Sequence, residues 1–531
     1  MPSLQMLFPW LALFGGFAVA SSNANSPSYP PLPETGRSDL TPFSLATGTS
    51  EFVTARDGKL YLDDAEYTFS SFNAPDLIGG SQFEIEDTFR SLVAFGRPIT
   101  RTYTLGVVSV NVQNSSAFIQ GWDSDAQDWI YNEAQFVKLD MVLSLARKWG
   151  CKIVIPVINQ DYGSQSTNWA GNWADLIQLY YGITGDNAYN ESKAYDFWTD
   201  ANLIAATKKI YTKLLARTNT LNGVVYGQDN TFWAIETGNE LNLNMSAPTF
   251  PDTSLPPPGS WTVEIAKHIK SLAPNILVMD GSLSRSNTTE NKFNATSLES
   301  PFVDLFSYHY YDVQVGQLPF YVMASDAAYV RKYGKTFVIG EHGFYPNTSS
   351  WDVFHDMQAS NPVAGSMVWS LREHADTGGF VTHGEGGDIY SYHVPGWSPP
   401  TSPMFDALEQ YIVGSTYTAS HQLLNQAVPH YPAPWAPTIL AANTTSNGTA
   451  FFQFLGGTWA EHYEVFHAVT GNVGSWQQAV NYLRDDVDAG MANFTVDPAV
   501  YGDGNGSWVM RGVSFAPLLR KGPWSNVLTI E

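Results

Sequence analysis

The chain predicts an α/β protein: a (β/α)8 barrel, or TIM barrel, followed by a small all-β sandwich. Three observations carry the prediction. From about residue 68 to 413, short apolar runs alternate with helical patterns, enough for eight strand–helix pairs. Polar residues recur where those apolar runs end, the position at which such a barrel places its chemistry. Beyond Pro432 the pattern shortens to alternating runs separated by Gly and Asn, the texture of a sandwich. A doubly wound sheet would place a Gly-rich phosphate loop after the first strand, and Asn73-Ala74-Pro75-Asp76 stands there instead.

The elements follow in order. Thr68–Phe72 reads as the first strand, and Phe83–Phe95 as a helix that Gly96 stops. Pro98–Tyr103 is the second strand. Asn132, with Gln135 three residues on, marks a capped helix start; Phe136, Leu139, Leu143 and Ala146 form its apolar face, and Gly150 ends it. Lys152–Val157 is strand three, Ala201–Arg217 a helix and Thr231–Ile235 strand four. Ser260 is expected to cap a helix that Pro274 terminates. Ile276–Asp280 is strand five, followed by the weakest helix, Phe293–Ser300. Phe302–Tyr308 is strand six, Phe320–Tyr333 a helix and Thr336–Ile339 strand seven. Trp351–Ala359 is helical, Val363–Trp369 is strand eight, and a helix at Pro403–Val413 closes the set.

Pro432, Pro434 and Pro437 read as a stiff linker, so residues 51–431 are expected to form the barrel domain and 432–531 a separable sandwich of immunoglobulin or fibronectin type III style. Its strands are expected at Ala450–Phe454, His462–Ala468, Gln477–Leu483, Ala492–Val496, Trp508–Phe515 and Asn526–Ile530. Residues 1–20 read as a secretory signal with Ala18-Val19-Ala20 as cleavage site, and 21–50 as a flexible Ser/Pro-rich tail. A single cysteine, Cys151, excludes an intrachain disulfide. Asn-x-Ser/Thr sequons begin at ten positions, among them Asn114, Asn190 and Asn443, which fits an extracellular glycoprotein.

The formal charge of −23 argues against nucleic acid and against an anionic membrane surface, both of which need clustered Lys and Arg. A neutral polymer remains compatible. The strand ends offer Arg101; Asn159, Asp161 and Tyr162; Asn239 and Glu240; Asp280; His309 and Tyr311; Glu341; and Trp369. Any one of these is an ordinary buried polar group, but their convergence on one barrel face points to a site. Asn239-Glu240 and Glu341 each end a buried strand, and two carboxylates across one cleft are the minimum for glycoside hydrolysis.

These motifs, in this order, resemble the β-mannanase-like branch of glycoside hydrolase family 5, over roughly residues 51–413. The resemblance implies Glu240 as acid/base, Glu341 as nucleophile, and Arg101, Asn159, Asn239, His309, Tyr311 and Trp369 as substrate-binding positions, with no cofactor and no metal. It also implies a retaining enzyme acting on β-linked polysaccharide or oligosaccharide, with β-1,4-mannan as the expected substrate. The chain departs from the family pattern at Leu241, where Pro often follows Asn-Glu, at His342, where Phe is common, and in the loop Arg372–Gly396. Those departures bear on substrate, and an endoglucanase, an exo-acting β-glycosidase or a non-catalytic carbohydrate binder on the same scaffold are the alternatives. The histidines at 374, 383 and 393 lack metal-ligand spacing and read as part of a lid. Trp122, Trp129, Trp169, Trp173 and Trp397 are either sugar platforms or packing anchors.

Overall fold

The computed structural model describes residues 51–161, 170–244, 257–284, 292–311, 319–385, 388–397, 405–444, 449–469, 476–515 and 517–530. The signal and tail expectations, Tyr162 and Trp169 lie outside them. Eight parallel strands form the barrel: β1 (Phe69–Phe72), β2 (Ile99–Arg101), β3 (Lys152–Pro156), β4 (Phe232–Glu236), β5 (Leu277–Asp280), β6 (Leu305–Tyr311), β7 (Thr336–Gly343) and β8 (Val363–Val368). The ladder runs β1-β8-β7-β6-β5-β4-β3-β2. The last seam is joined by side chains and by the strand exit: Ser71 Oγ donates to Ile99 O (2.6 Å), Thr100 Oγ1 to Phe72 O (2.8 Å) and Ala74 N–H to Arg101 O (2.9 Å).

The helices that follow the strands in turn are α1 (Gln82–Leu92), α2 (Glu133–Trp149), α3 (Ala201–Leu215), α4 (Gly259–Leu272), α5 (Ala295–Glu299), α6 (Met323–Lys332), α7 (Thr348–Ser360) and α8 (Glu409–Gln422), with two further helices, Trp173–Tyr181 and Ala188–Ser192, between β3 and α3. Ser81 and Glu84 form a capping box on α1, and Asn132 caps α2 as the sequence predicts. Three expectations are corrected. Ser260 lies inside α4, whose start carries no side-chain cap; α7 begins earlier, capped by Asn347; and α8 starts at Glu409 rather than Pro403. Helix α5 is as short as its sequence suggests.

Inside the barrel, Phe69, Ile99, Val154, Trp233, Met279, Leu305, Val338 and Met367 pack together. Each such fully buried side chain contributes roughly 1.5–3 kcal/mol. A three-stranded ribbon (Thr54–Arg56, Lys59–Leu62, Ala65–Glu66) carries Leu60, and together with the flanking Val53 and Tyr67 it seals this core at one end. The opposite end, where the strands finish, is left to polar side chains.

Strands β9 (Thr438–Thr444), β10 (Ala450–Leu455), β11 (His462–Ala468), β12 (Gln477–Leu483), β13 (Asn493–Thr495), β14 (Gly506–Val513), β15 (Lys521–Trp524) and β16 (Leu528–Ile530) form the C-terminal all-β unit. One sheet is β9-β10-β13. The other is β12-β11-β14-β15, with β16 also on β14, and the strands of both sheets pair antiparallel. Strands β9 and β15 are not among the sequence-predicted six.

This unit is not loosely tethered. Trp459 is fully buried among Phe95, Tyr417 and Tyr431, and its Nε1–H donates to Arg90 O (3.2 Å). Asp87 of α1 accepts from Thr458 and pairs with His374 Nδ1 (2.9 Å). His374 Nε2 lies 3.1 Å from Asp485, which also accepts from Tyr463 (2.6 Å). Burial opposes a charge on His374, but the Asp87 and Asp485 carboxylates outweigh it and raise the imidazole to about 10.

The linkage has a definite sign. A cation held above its unfolded value stabilises most below about pH 6.5, and that contribution is lost as pH rises toward about 10. The melting temperature of His374→Gln is therefore expected to fall furthest below wild type near pH 6, with the difference shrinking toward pH 10. A difference that is constant across this range, measured by calorimetry, would contradict the assignment.

Candidate active site

The site begins with Arg101, the last residue of β2, whose side chain is wholly buried. Its three nitrogens are each committed: Nε donates to Glu236 (2.7 Å), one terminal nitrogen to Glu341 Oε1 (2.6 Å) and the other to Asn239 Oδ1 (2.7 Å). Burial works against the guanidinium charge, and the carboxylates of Glu236 and Glu341 more than offset it. One fork thus fixes side chains from β4, the turn after it and β7.

The turn after β4 explains where Glu240 goes. Gly238 lies so close to Gly281 that a Cβ at 281 would sit 1.9 Å from the Gly238 carbonyl oxygen, and Thr237 N–H donates to Met279 O (3.0 Å). The chain then bends, with Glu240 at φ 49°, a left-handed conformation costing about 1–3 kcal/mol in a non-glycine residue. Glu240 Oε1 meets His309 Nδ1 at 2.6 Å. Asn239 Nδ2–H donates to Asn159 Oδ1 (3.0 Å), and Asn159 in turn to the Tyr103 hydroxyl (3.3 Å).

The sequence ends β6 and β7 too early. β6 continues to Tyr311 and β7 to Gly343, with His309 paired in register with Glu341. The polar residues there break the apolar pattern but not the backbone ladder. Tyr311 O–H donates to Glu341 Oε2 (2.5 Å), and His309 Nδ1 lies 3.4 Å from the same oxygen. Burial, reinforced by Glu341, pushes the Tyr311 phenol well above its ordinary value, so it stays a donor. For His309 burial opposes charge, while Glu341 and Glu240 outweigh it and raise the imidazole. A carboxylate oxygen of Glu240, a ring nitrogen of His309 and a carboxylate oxygen of Glu341 lie within 4.8 Å of one another. Among the described residues these three have the donor types to hold a metal ion, although the Arg101 cation against Glu341 opposes one.

Arg101, Asn159, Asn239, Glu240, His309, Tyr311 and Glu341 are therefore one connected set. Trp369 adjoins it: its ring faces Tyr103 at 5.8 Å, and a cis peptide links it to Ser370. Other strand-end residues do not join. Asp161 accepts from Tyr189 (2.7 Å), and Asp280 is taken up by Ser282 N–H (2.9 Å) and Oγ–H (2.6 Å). Trp129, whose Nε1–H donates to Ala206 O (2.8 Å), and the buried Trp397 are packing anchors, with Trp122 edge-on to Trp129. His374 and His393 are claimed by Asp87 with Asp485 and by Glu409.

Sequence reading misses Glu236 and Tyr103. The one available signal for Glu236 is a lone acid directly after the apolar run Phe232–Ile235, four residues before Glu240. A separate hollow of about 940 Å3 between α7, α8, Phe515 and Pro517 contains none of these groups.

A barrel with this carboxylate pair defines a glycosidase-like architecture, and the comparisons agree. The family described as GH family 5 beta-mannosidase-like matches residues 57–343, more than half of the 531. The chain belongs to that family. Among curated relatives, mannan endo-1,4-beta-mannosidase 4 of Oryza sativa subsp. japonica is 28% identical over 244 residues, 45% of this chain and 48% of the relative. Mannan endo-1,4-beta-mannosidase 5 of Solanum lycopersicum is 26% identical over 232 residues, 42% and 48% of the two. The chain thus spans about half the length of the curated relatives it matches. The endo-1,4-beta-mannanase of Rhizomucor miehei superposes with a TM-score of 0.54 at 18% identity, over 71% of this chain and 100% of that one, which bears on the fold alone.

Arg101→Ala would leave Glu236 and Glu341 buried without their cation. Removing one partner of such a buried set costs about 3–5 kcal/mol, so urea unfolding is expected to show a loss of that size. A loss below about 1 kcal/mol would mean that the network does not hold the site together.

Proposed function

We propose that the chain is a secreted, retaining β-glycoside hydrolase that cleaves β-1,4-mannan internally, with Glu341 as nucleophile and Glu240 as acid/base. The observation that carries the reading is the treatment of Glu341: both its oxygens are held by donors, Arg101 on one and Tyr311 on the other, with an oxygen of Glu240 within 4.8 Å. That closeness favours the retaining geometry of roughly 5–5.5 Å over the wider inverting one. Mannan as substrate is supported by what the curated relatives are named for.

In the first step a Glu341 oxygen bonds to the anomeric carbon as the bond to the leaving oxygen breaks, and that oxygen takes the proton of Glu240. Esterification removes the neighbouring negative charge, and ionised Glu240 then takes a proton from water. The hydroxide so formed attacks the anomeric carbon and frees Glu341. Asn239, oriented by Arg101 and Asn159, is placed to bond the sugar 2-hydroxyl, and Trp369 to floor the cleaved sugar. The C-terminal unit is read as a fibronectin type III-like accessory sandwich, supported by its two antiparallel sheets. Secretion is supported by the apolar leader and by exposed sequon residues such as Asn114, Asn190 and Asn443. No helix among the described residues is long and apolar enough to cross a membrane.

Mannohexaose and cellohexaose incubated side by side test the substrate. Internal cleavage of mannohexaose, with β-anomer released first by proton NMR, is the expected result. Exclusive cleavage of cellohexaose would overturn the substrate, and an inverted first product would overturn the mechanism. Glu341→Gln is expected to lower kcat on the order of 10^4-fold or more with the fold retained.

A further inference from the structure

The loop that leaves β8 is gripped by the C-terminal unit five residues after Trp369. From the barrel side, Trp369 N–H donates to His342 O (3.0 Å), Leu371 N–H to Asn73 O (2.8 Å) and His374 N–H to Asp87 (2.9 Å). The chain then turns through Gly378 and Gly379, both at positive φ, with Ala375 N–H donating to Gly379 O (2.9 Å). The tip of this turn is built against the other unit. Phe380 N–H donates to Val487 O (2.8 Å) and Gly490 N–H to Gly378 O (2.6 Å). A Cβ at Gly378 would sit 2.4 Å from Phe454 O, and one at Gly379 2.3 Å from Asp488 O, so the backbones touch where no side chain fits. His374 stacks on Phe380 at 4.0 Å and spans from Asp87 on the barrel to Asp485 on the C-terminal unit.

We propose that His374 is a positioning residue for Trp369, and that the C-terminal unit, through Asp485, is a working part of the active site rather than a separable appendage. The proposal rests on the hydrolase reading above. Trp369 reaches the reacting groups through Tyr103, Asn159 and Asn239, so a shift of the β8 loop reaches the sugar floor directly and the 2-hydroxyl contact at second hand. A misplacement of about 1 Å at such a floor costs on the order of 100-fold in rate. The sequence suggests a stiff linker at Pro432–Pro437 before a separable unit. In the structure Pro432 and Pro434 are buried, and a Cβ at Gly512 or Gly522 would press on Pro434.

Two full-length variants, both in the C-terminal unit, test this. Asp485→Asn removes the charge facing His374 while keeping the shape, so the fold survives. Gly456→Ala inserts a methyl 1.9 Å from Asp485 Oδ2 and 2.4 Å from His374 Nε2, at a backbone conformation open to alanine. Hydrogen exchange over 369–382 and kcat/KM on mannohexaose are measured well below each melting temperature. Exchange in that segment is expected to rise about tenfold and kcat/KM to fall about tenfold or more, with the pH limbs of kcat/KM unmoved. A merely structural contact would lower the melting temperature and leave kcat/KM of the folded enzyme alone, so values within about twofold of wild type in both variants overturn the proposal. Exchange needs no substrate. If wild type turned over no mannohexaose, the hydrolase reading alone would fail, and unchanged exchange in 369–382 would still refute the grip on the loop.

Discussion

Taking a guanidinium out of water at the mouth of a barrel costs several kcal/mol unless every donor finds an acceptor and the charge finds a counter-charge. Arg101 meets that constraint from three directions at once, and the rest of the site is arranged by the solution. Glu236 fixes the fork from below, so the fork can present one nitrogen to Glu341 and another to Asn239 at fixed angles. Because Glu341 is held on its second oxygen by Tyr311, its carboxylate has one orientation across the mouth. Asn239 in turn holds Asn159, and Asn159 the Tyr103 hydroxyl that lies beside Trp369. His309 stands beside the guanidinium as a second basic group, its imidazole raised against burial by Glu341 and Glu240.

A second buried cation repeats the device away from the chemistry. His374 sits between Asp87 and Asp485 much as Arg101 sits between Glu236 and Glu341, and it joins two folding units rather than several strands. Around it, the seam is partly apolar, through Trp459, and partly backbone-to-backbone at residues 378–380 and 487–490. Apolar burial supplies non-directional affinity, and the ion pair and glycine contacts fix one orientation.

Much of the barrel was legible because its strands are buried on both faces. A run such as Phe337-Val338-Ile339 declares itself by composition alone. The errors cluster where chemistry interrupts that composition. The apolar pattern ends β6 and β7 early because His309, Tyr311 and Glu341 look like loop residues, although the ladder carries them. Ser260 has the residue type of a cap without the position, and α8 starts later than the sequence suggests. Glu236 was hidden by the more conspicuous Asn-Glu four residues on. The seam with the C-terminal unit was invisible for a different reason: Asp87, His374 and Asp485 are separated by hundreds of residues, and neither periodicity nor a local motif links them.

The central claim is that Glu341, held by Arg101 and Tyr311, forms a bond to sugar. The most direct measurement is peptide mass spectrometry after incubation with a 2-deoxy-2-fluoro-β-mannosyl fluoride. The fluorine at C2 slows both steps and the fluoride leaving group restores the first, so the glycosyl-enzyme accumulates. The account predicts one fluorosugar adduct, on the peptide containing Glu341, absent from Glu341→Gln. An adduct on Glu240 instead, or turnover of natural substrate with full protection from labelling at Glu341, would contradict it.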